Sequence, residues 1–228
     1  MIRSFSKYQI ATSLAILFHI IGITGILFFD KDFFIRSTPF NLLLMFALLV
    51  WTQDGKNKFS WLFLGSCFLT GVGVEIIGVN TAALFGHYQY GNVLGPGIMN
   101  VPWIIGINWF IIIYCCGISI HTLLMKISNR ISATETPQSL KALSIIVDGA
   151  TLAVFFDWLM EPVAVKLNYW HWNGDGSIPF FNYICWFIVS VLLLTVFHFC
   201  KFDKQNKFAV NLLLIQFMFF LILRTFMN

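Results

Sequence analysis

Three carboxylic acids sit in stretches of the chain where water should be scarce. Glu75 lies in the apolar run GVGVEIIGVN, and Asp157 and Glu161 lie in AVFFDWLMEPVAV. A charged group in lipid-like surroundings is costly, so its presence marks a functional site by default. Asp157 and Glu161 are four residues apart and share one face of a helix. Pro162 follows at once and should disturb that helix locally, freeing backbone groups near the carboxyls. Carboxyls withdrawn from water and gathered together can share one proton, which sets a neutral acid beside an ionised carboxylate. Such a pair suits general acid–base chemistry. The competing reading is structural, with the acids in salt bridges to Lys166 or Arg36. It is the weaker one, because no basic residue lies at the same helical depth as the acids. Asp148 is nine residues before Asp157 and half a turn out of phase, so it is expected in a separate buried polar contact.

Aromatic and polar residues gather in two segments that resemble each other. One reads Gly86-His87-Tyr88-Gln89-Tyr90-Gly91-Asn92, the other Asn168-Tyr169-Trp170-His171-Trp172-Asn173-Gly174. Their alternation suggests short extended pieces that pair as a lid. Beside a proton donor, the rings of Tyr88, Tyr90, Trp103, Trp109, Trp158, Trp170 and Trp172 could stabilise a carbocation through their faces, by about 0.5–2 kcal/mol each. Core packing and interfacial belts use the same residues equally well. His87 and His171 could assist proton transfer, and interfacial polarity explains them as readily. A metal is not expected, because the chain has no HxxH, HxxxH or HExxH, and His19, His121 and His198 are scattered. Gly71, Gly73 and Gly78 lie inside an apolar helix and follow no strand, so they read as close helix packing and not as a nucleotide loop. No GxSxG or phosphate loop is present, and the last apolar run has no lysine for a retinal Schiff base. The expectation is a protein without a cofactor.

The elements that carry these residues are transmembrane helices. The 228 residues are 58% hydrophobic and 11% charged, with mean hydropathy +0.81. Soluble domains carry about 25% charged residues, so little is left here for a soluble part. A single integral membrane domain over residues 1–228 is expected, all-α and polytopic. Seven apolar runs are long enough, or nearly so, to cross a bilayer: residues 9–29, 37–51, 59–82, 101–126, 140–165, 179–200 and 208–227. The first reads as a transmembrane helix and not a signal peptide, since no small-x-small cleavage site follows it. Lysine and arginine crowd one set of connections (Arg3, Lys7, Lys56, Lys58, Lys126, Arg130, Lys141, Lys201, Lys204, Lys207), whereas residues 83–100 have none. The positive-inside rule then places the N-terminus in the cytoplasm and the C-terminus outside. The net charge of +4 reports this topology and implies no nucleic-acid partner. Glu75 falls about 16 residues along its helix, roughly 24 Å from the inner end, and Asp157 lies at a similar height. Both belong to the outer half of the membrane. The five cysteines lie in apolar runs with no CxxC and read as small buried hydrophobes.

Several of these residues form a pattern. It comprises Glu75, Phe85, Gly86, Tyr88 and Tyr90; Val101-Pro102-Trp103; Asp157 to Val163; Trp170-His171-Trp172; and Pro179, Asn182 and Trp186. Over residues 70–190 the chain resembles the carotenoid biosynthesis membrane proteins. That family includes carotenoid 1,2-hydratases, among them bacterioruberin-type hydratases. The sequence departs from the pattern at Ala82, Leu84 and Glu161, where Gly, Pro and Asp are expected. The resemblance implies addition of water to the terminal double bond of an acyclic carotenoid end. An acid protonates C2, the tertiary cation at C1 is stabilised, and a base takes a proton from the attacking water. Asp157 and Glu75 are the expected acid–base pair, with Glu161 supporting, and the sequence leaves open which of them is the donor. Substrate contacts would come from His87, Tyr88, Tyr90, Trp103, Trp109, Trp158, Trp170, His171, Trp172 and Asn182. The expected partners are membrane lipid, a substrate such as lycopene or a related acyclic or monocyclic carotenoid, and other carotenoid-pathway enzymes, in a bacterial cytoplasmic membrane. Two alternatives stay open. A cyclase would use the same protonation and quench the cation internally. A lipid- or isoprenoid-binding or transport protein would use the acids for proton coupling.

Overall fold

The computed structural model describes residues 5–130 and 137–227. Arg3 lies outside them, as does the side chain of Arg130. Among the described residues eight helices follow in order: α1 Lys7–Phe28, α2 Lys31–Arg36, α3 Thr38–Thr52, α4 Lys58–Thr81, α5 Ile104–Arg130, α6 Gln138–Lys166, α7 Phe180–Phe199 and α8 Lys207–Phe226. All but α2 and α3 are long and apolar enough to cross a membrane. The chain is an all-α integral membrane protein. The fifteen residues of α3 span only about 22 Å. They still run from one end of the bundle to the other. Near the start of α3, Thr38 bonds Tyr169 (2.6 Å); at its far end, Thr52 accepts from Asn206 (3.1 Å) and Gln53 donates to the Asp203 carbonyl (2.8 Å). With α3 counted, seven passes result.

Polar caps fix where the helices begin. Ser6 and Gln9 form a capping box on α1, and Asn57 and Ser60 form one on α4. Asn206 accepts from two backbone amides at the start of α8. The Ser37-Thr38-Pro39 signal does open α3, but through the proline, since the Ser37 side chain makes no capping bond. The bundle is organised around α5, which packs against α3, α4, α6, α7 and α8. Its Ile111, Ile112, Ile113, Cys115, Cys116 and Ile118 have no exposed surface, as befits a helix apolar on every side. All five cysteines are buried and free. Asp148, in contrast to the expected buried contact, is exposed on α6 and accepts from Ser144 one turn away. A helix face half a turn from Asp157 points away from the bundle interior.

The ends of the bundle differ. At one end Lys7 pairs with Asp54 (2.5 Å), and Asn57 donates to the Lys201 carbonyl (2.9 Å). At the other end the two aromatic segments fold over the helices. Strand β1 (Tyr88–Tyr90) pairs antiparallel with β4 (Trp170–Trp172), matching Tyr88 with Trp172, Gln89 with His171 and Tyr90 with Trp170. The expected lid is therefore a two-stranded ladder joining the chain after α4 to the chain after α6. A second small ladder pairs β2 (Gly97–Ile98) with β3 (Val101–Pro102).

Ala82 ends α4 in the left-handed conformation, at φ 56°. An L-residue there costs about 1–2 kcal/mol, a cost that glycine avoids. The glycine that the family pattern expects at this position thus has a conformational basis. Ala82→Gly should stabilise the protein by about 1 kcal/mol. Thermal unfolding in detergent, read as a rise in Tm with activity kept, checks this.

Candidate active site

Glu75, Asp157 and Glu161 line one cavity beneath the β1–β4 lid. All three are buried. The wall is completed by Phe85, Tyr88, Tyr90, Trp109, Trp170, Trp172, Asn182 and Trp186, with Ile105, Asn108 and Met160 on one side. Among the described residues, no lysine or arginine lines it. About 20 Å³ is open between these groups, room for roughly one water.

Each acid is held by different donors. Glu75 accepts from the Tyr88 hydroxyl and the Tyr90 hydroxyl (2.7 Å) on Oε2, and from the Trp109 indole N–H (3.0 Å) on Oε1. Glu161 accepts two indole N–H bonds on one oxygen, from Trp170 (3.0 Å) and Trp172 (3.1 Å). Asp157 receives one bond on Oδ2 from the Asn182 amide (2.8 Å), while its buried Oδ1 has no partner among the described residues. Withdrawal from water, and then the Glu75 charge, push the Tyr88 and Tyr90 phenols well above their ordinary range. Both tyrosines therefore stay protonated and available as donors to Glu75. Among the described residues no lysine or arginine, Lys166 and Arg36 included, forms an ion pair with the three acids, so the salt-bridge reading is not met. Lys166 donates to the Met227 carbonyl (2.5 Å), and the ion pair Lys7–Asp54 lies at the far end of the bundle.

Local sequence explains how the donors reach the acids. Gly71 and Gly78 lie four residues before and three after Glu75, on its face of α4. A Cβ at Gly71 would stand 2.7 Å from Trp109, and one at Gly78 2.8 Å from the Tyr88 hydroxyl. Both glycines clear space for groups that hold Glu75, whereas Gly73 faces open space and packs against nothing. The Trp109 ring stacks on Trp186 at 4.0 Å between centroids, with planes 15° apart, and this pair joins α5 to α7 along the cavity. Pro162 leaves α6 unbroken. Because proline has no N–H, the carbonyl four residues earlier loses its helical donor. That carbonyl belongs to Trp158, and Arg224 of α8 donates to it (2.9 Å) while its guanidinium lies over the Trp158 ring at 4.1 Å.

The structure brings together all three acids with Tyr88, Tyr90, Trp109, Trp170, Trp172 and Asn182. Four other expected contacts do not line the cavity. His87 and His171 are exposed, because alternate residues of an extended strand face opposite ways. Trp158 is 45% exposed and engaged with Arg224, and Trp103 is 43% exposed beside the second ladder. Phe85, Ile105, Asn108, Met160 and Trp186 line the cavity without having been picked out as substrate contacts. Helical phase could have found most of them. Met160 lies three residues from Asp157, Trp186 four from Asn182, and Ile105 four from Trp109.

A family model described as carotenoid biosynthesis protein matches residues 38–228. The chain belongs to this family. The match takes in α3 to α8, both strands of the lid and all three acids. Among curated proteins, a bisanhydrobacterioruberin hydratase of Haloarcula japonica is 23% identical over 137 residues. The alignment covers 59% of this chain and 43% of the relative, so the chain spans less than half of the relative's length. No solved structure matches the chain.

Proposed function

We propose that this family member is a carotenoid hydratase that adds water to the terminal double bond of an acyclic carotenoid end. The observation that carries the reading is the convergence of three buried carboxyls in one aromatic-walled cavity, with no lysine or arginine among the described residues that line it. The name of the Haloarcula relative agrees with it. Addition of water to an unactivated alkene needs a proton donor, a surface that tolerates positive charge, and a proton acceptor.

The hydrogen bonds support a division of these roles. Asp157 is the donor, because Oδ1 is free of incoming N–H or O–H groups and can carry a proton. Glu75 has donors on both oxygens, an environment that suits a fixed carboxylate stabilising the cation. Glu161 keeps its two donors on Oε2 and leaves Oε1 to accept the proton of the attacking water. This differs from the Asp157–Glu75 pair expected from sequence. It keeps both proton transfers on a single helical turn, across which the proton returns from Glu161 to Asp157. The faces of Trp109 and Trp186 border the space in which the cation would form. The cavity is too small for a trisubstituted alkene end, so substrate binding requires it to widen. The positive-inside asymmetry supports a site in the outer half of the membrane, below an outer lid.

Expression in a lycopene-producing bacterium tests the reading. A new pigment heavier by one or two waters is expected. A new pigment of unchanged mass would mean cyclisation, and no new pigment would favour binding or transport.

A further inference from the structure

The carboxyl cavity has a neighbour. Ile105, Asn108, Met160 and Trp170 line it on one side and also line a second chamber of about 70 Å³. His19 of α1, Asn41 of α3 and Gln216 of α8 converge on this chamber. His19 and Gln216 are each only 5% exposed. Gln216 Oε1 and Asn41 Oδ1 are buried and have no hydrogen-bond partner among the described residues. His19 Nδ1 lies 2.7 Å from the Ala15 carbonyl, which can only accept, so Nδ1 carries the proton. In the neutral ring Nε2 is then a further acceptor. A buried acceptor left without a donor is costly, and this chamber gathers two of them, from Gln216 and Asn41, inside an apolar bundle. A resident water needs about 10–15 Å³ and two to four polar partners. The chamber exceeds the first requirement several-fold and meets the second.

We infer that the chamber bounded by His19, Asn41 and Gln216 is a water-binding site that supplies the nucleophile to the adjoining carboxyl cavity. The inference rests on the hydratase reading. Hydration consumes one water per double bond, yet the carboxyl cavity holds about one water and must yield that room to the alkene. In the reaction the π electrons of the alkene take the Asp157 proton and form the new C–H bond. A lone pair of water oxygen then forms the C–O bond to the cation. The resulting oxonium gives one proton to Glu161, so the net change is the gain of one water, with no oxidant or reductant. Asn108, the polar residue in the dividing wall, lies on the route that the water takes. A cation that meets no water loses a proton and reverts to alkene. When this happens in heavy water, deuterium remains in the recovered alkene.

Gln216→Leu and Asn41→Leu test the inference, each removing one of the buried acceptors. Membranes containing the wild-type or variant protein are incubated with lycopene in heavy water, and the alcohol and the deuterium in recovered alkene are both measured. At least a ten-fold fall in alcohol is expected in each variant, with deuterium in the alkene kept or raised. Gln216→Glu, which restores an acceptor, should recover part of the alcohol. Alcohol at wild-type level in both variants would overturn the inference. So would a parallel fall of alcohol and deuterium in protein that still purifies folded, since that pattern means the residues act only structurally. If the wild-type protein gives neither alcohol nor deuterium exchange, the hydratase reading itself fails.

Discussion

Asp157→Asn is expected to lower formation of the hydrated carotenoid by about 10²–10⁴-fold, the usual contribution of a general acid. The substitution is close to isosteric, and the new side-chain oxygen can still accept the Asn182 bond now made to Oδ2. The fold should therefore survive. What is lost is the proton that Oδ1 alone is free to carry. Deuterium exchange into the alkene should fall with the alcohol, because no cation forms. Pigment analysis of expressing cells, beside a measure of purified folded protein, separates this result from simple loss of protein. Unchanged alcohol would remove Asp157 from the chemistry.

Glu75→Gln is expected to act through charge and to cost stability as well. Two tyrosine hydroxyls and one indole N–H now point at two carboxylate oxygens. A glutamine brings one oxygen and one NH₂ group. The indole of Trp109 can only donate, so the amide oxygen must face it, and the NH₂ is left against Oη of Tyr88 and Tyr90. Both tyrosines must then rotate their hydroxyls to accept. Loss of these charge-assisted bonds should cost about 1.5–3 kcal/mol of stability. Loss of the negative charge beside the cation should lower turnover on the order of 10²-fold, by analogy with removal of one preorganised stabilising group. Thermal unfolding and pigment yield, measured on the same preparation, check both parts.

Much of this site could be read from periodicity. The acids announced themselves by being carboxyls in apolar helices, and the i, i+4 spacing put Asp157 and Glu161 on one face. The pairing of the two aromatic segments followed from their period-two alternation. That same alternation, taken one step further, separates Tyr88, Tyr90, Trp170 and Trp172 on the inner side from His87, Gln89 and His171 on the outer side. The histidines were attractive for their chemistry, but strand geometry had already assigned them to the surface. Trp158 failed for a similar reason. It is one residue from Asp157 and so about 100° round the helix. Periodicity could not show the water chamber, because His19, Asn41 and Gln216 come from three helices far apart in sequence. Nor could it show that Gly71 and Gly78 exist to admit Trp109 and Tyr88, since that depends on which helix packs against which.

The stacked pair Trp109–Trp186 gives the protein a built-in optical probe. Two indoles in near-parallel contact couple their transitions, and one of them has its N–H committed to Glu75. The near-ultraviolet circular dichroism of the pair should report how Glu75 is charged. A polyene end entering the cavity would lie against the same rings, close enough to quench their fluorescence by energy transfer to the polyene. Occupancy could thus be followed from the protein's own emission, with no label attached.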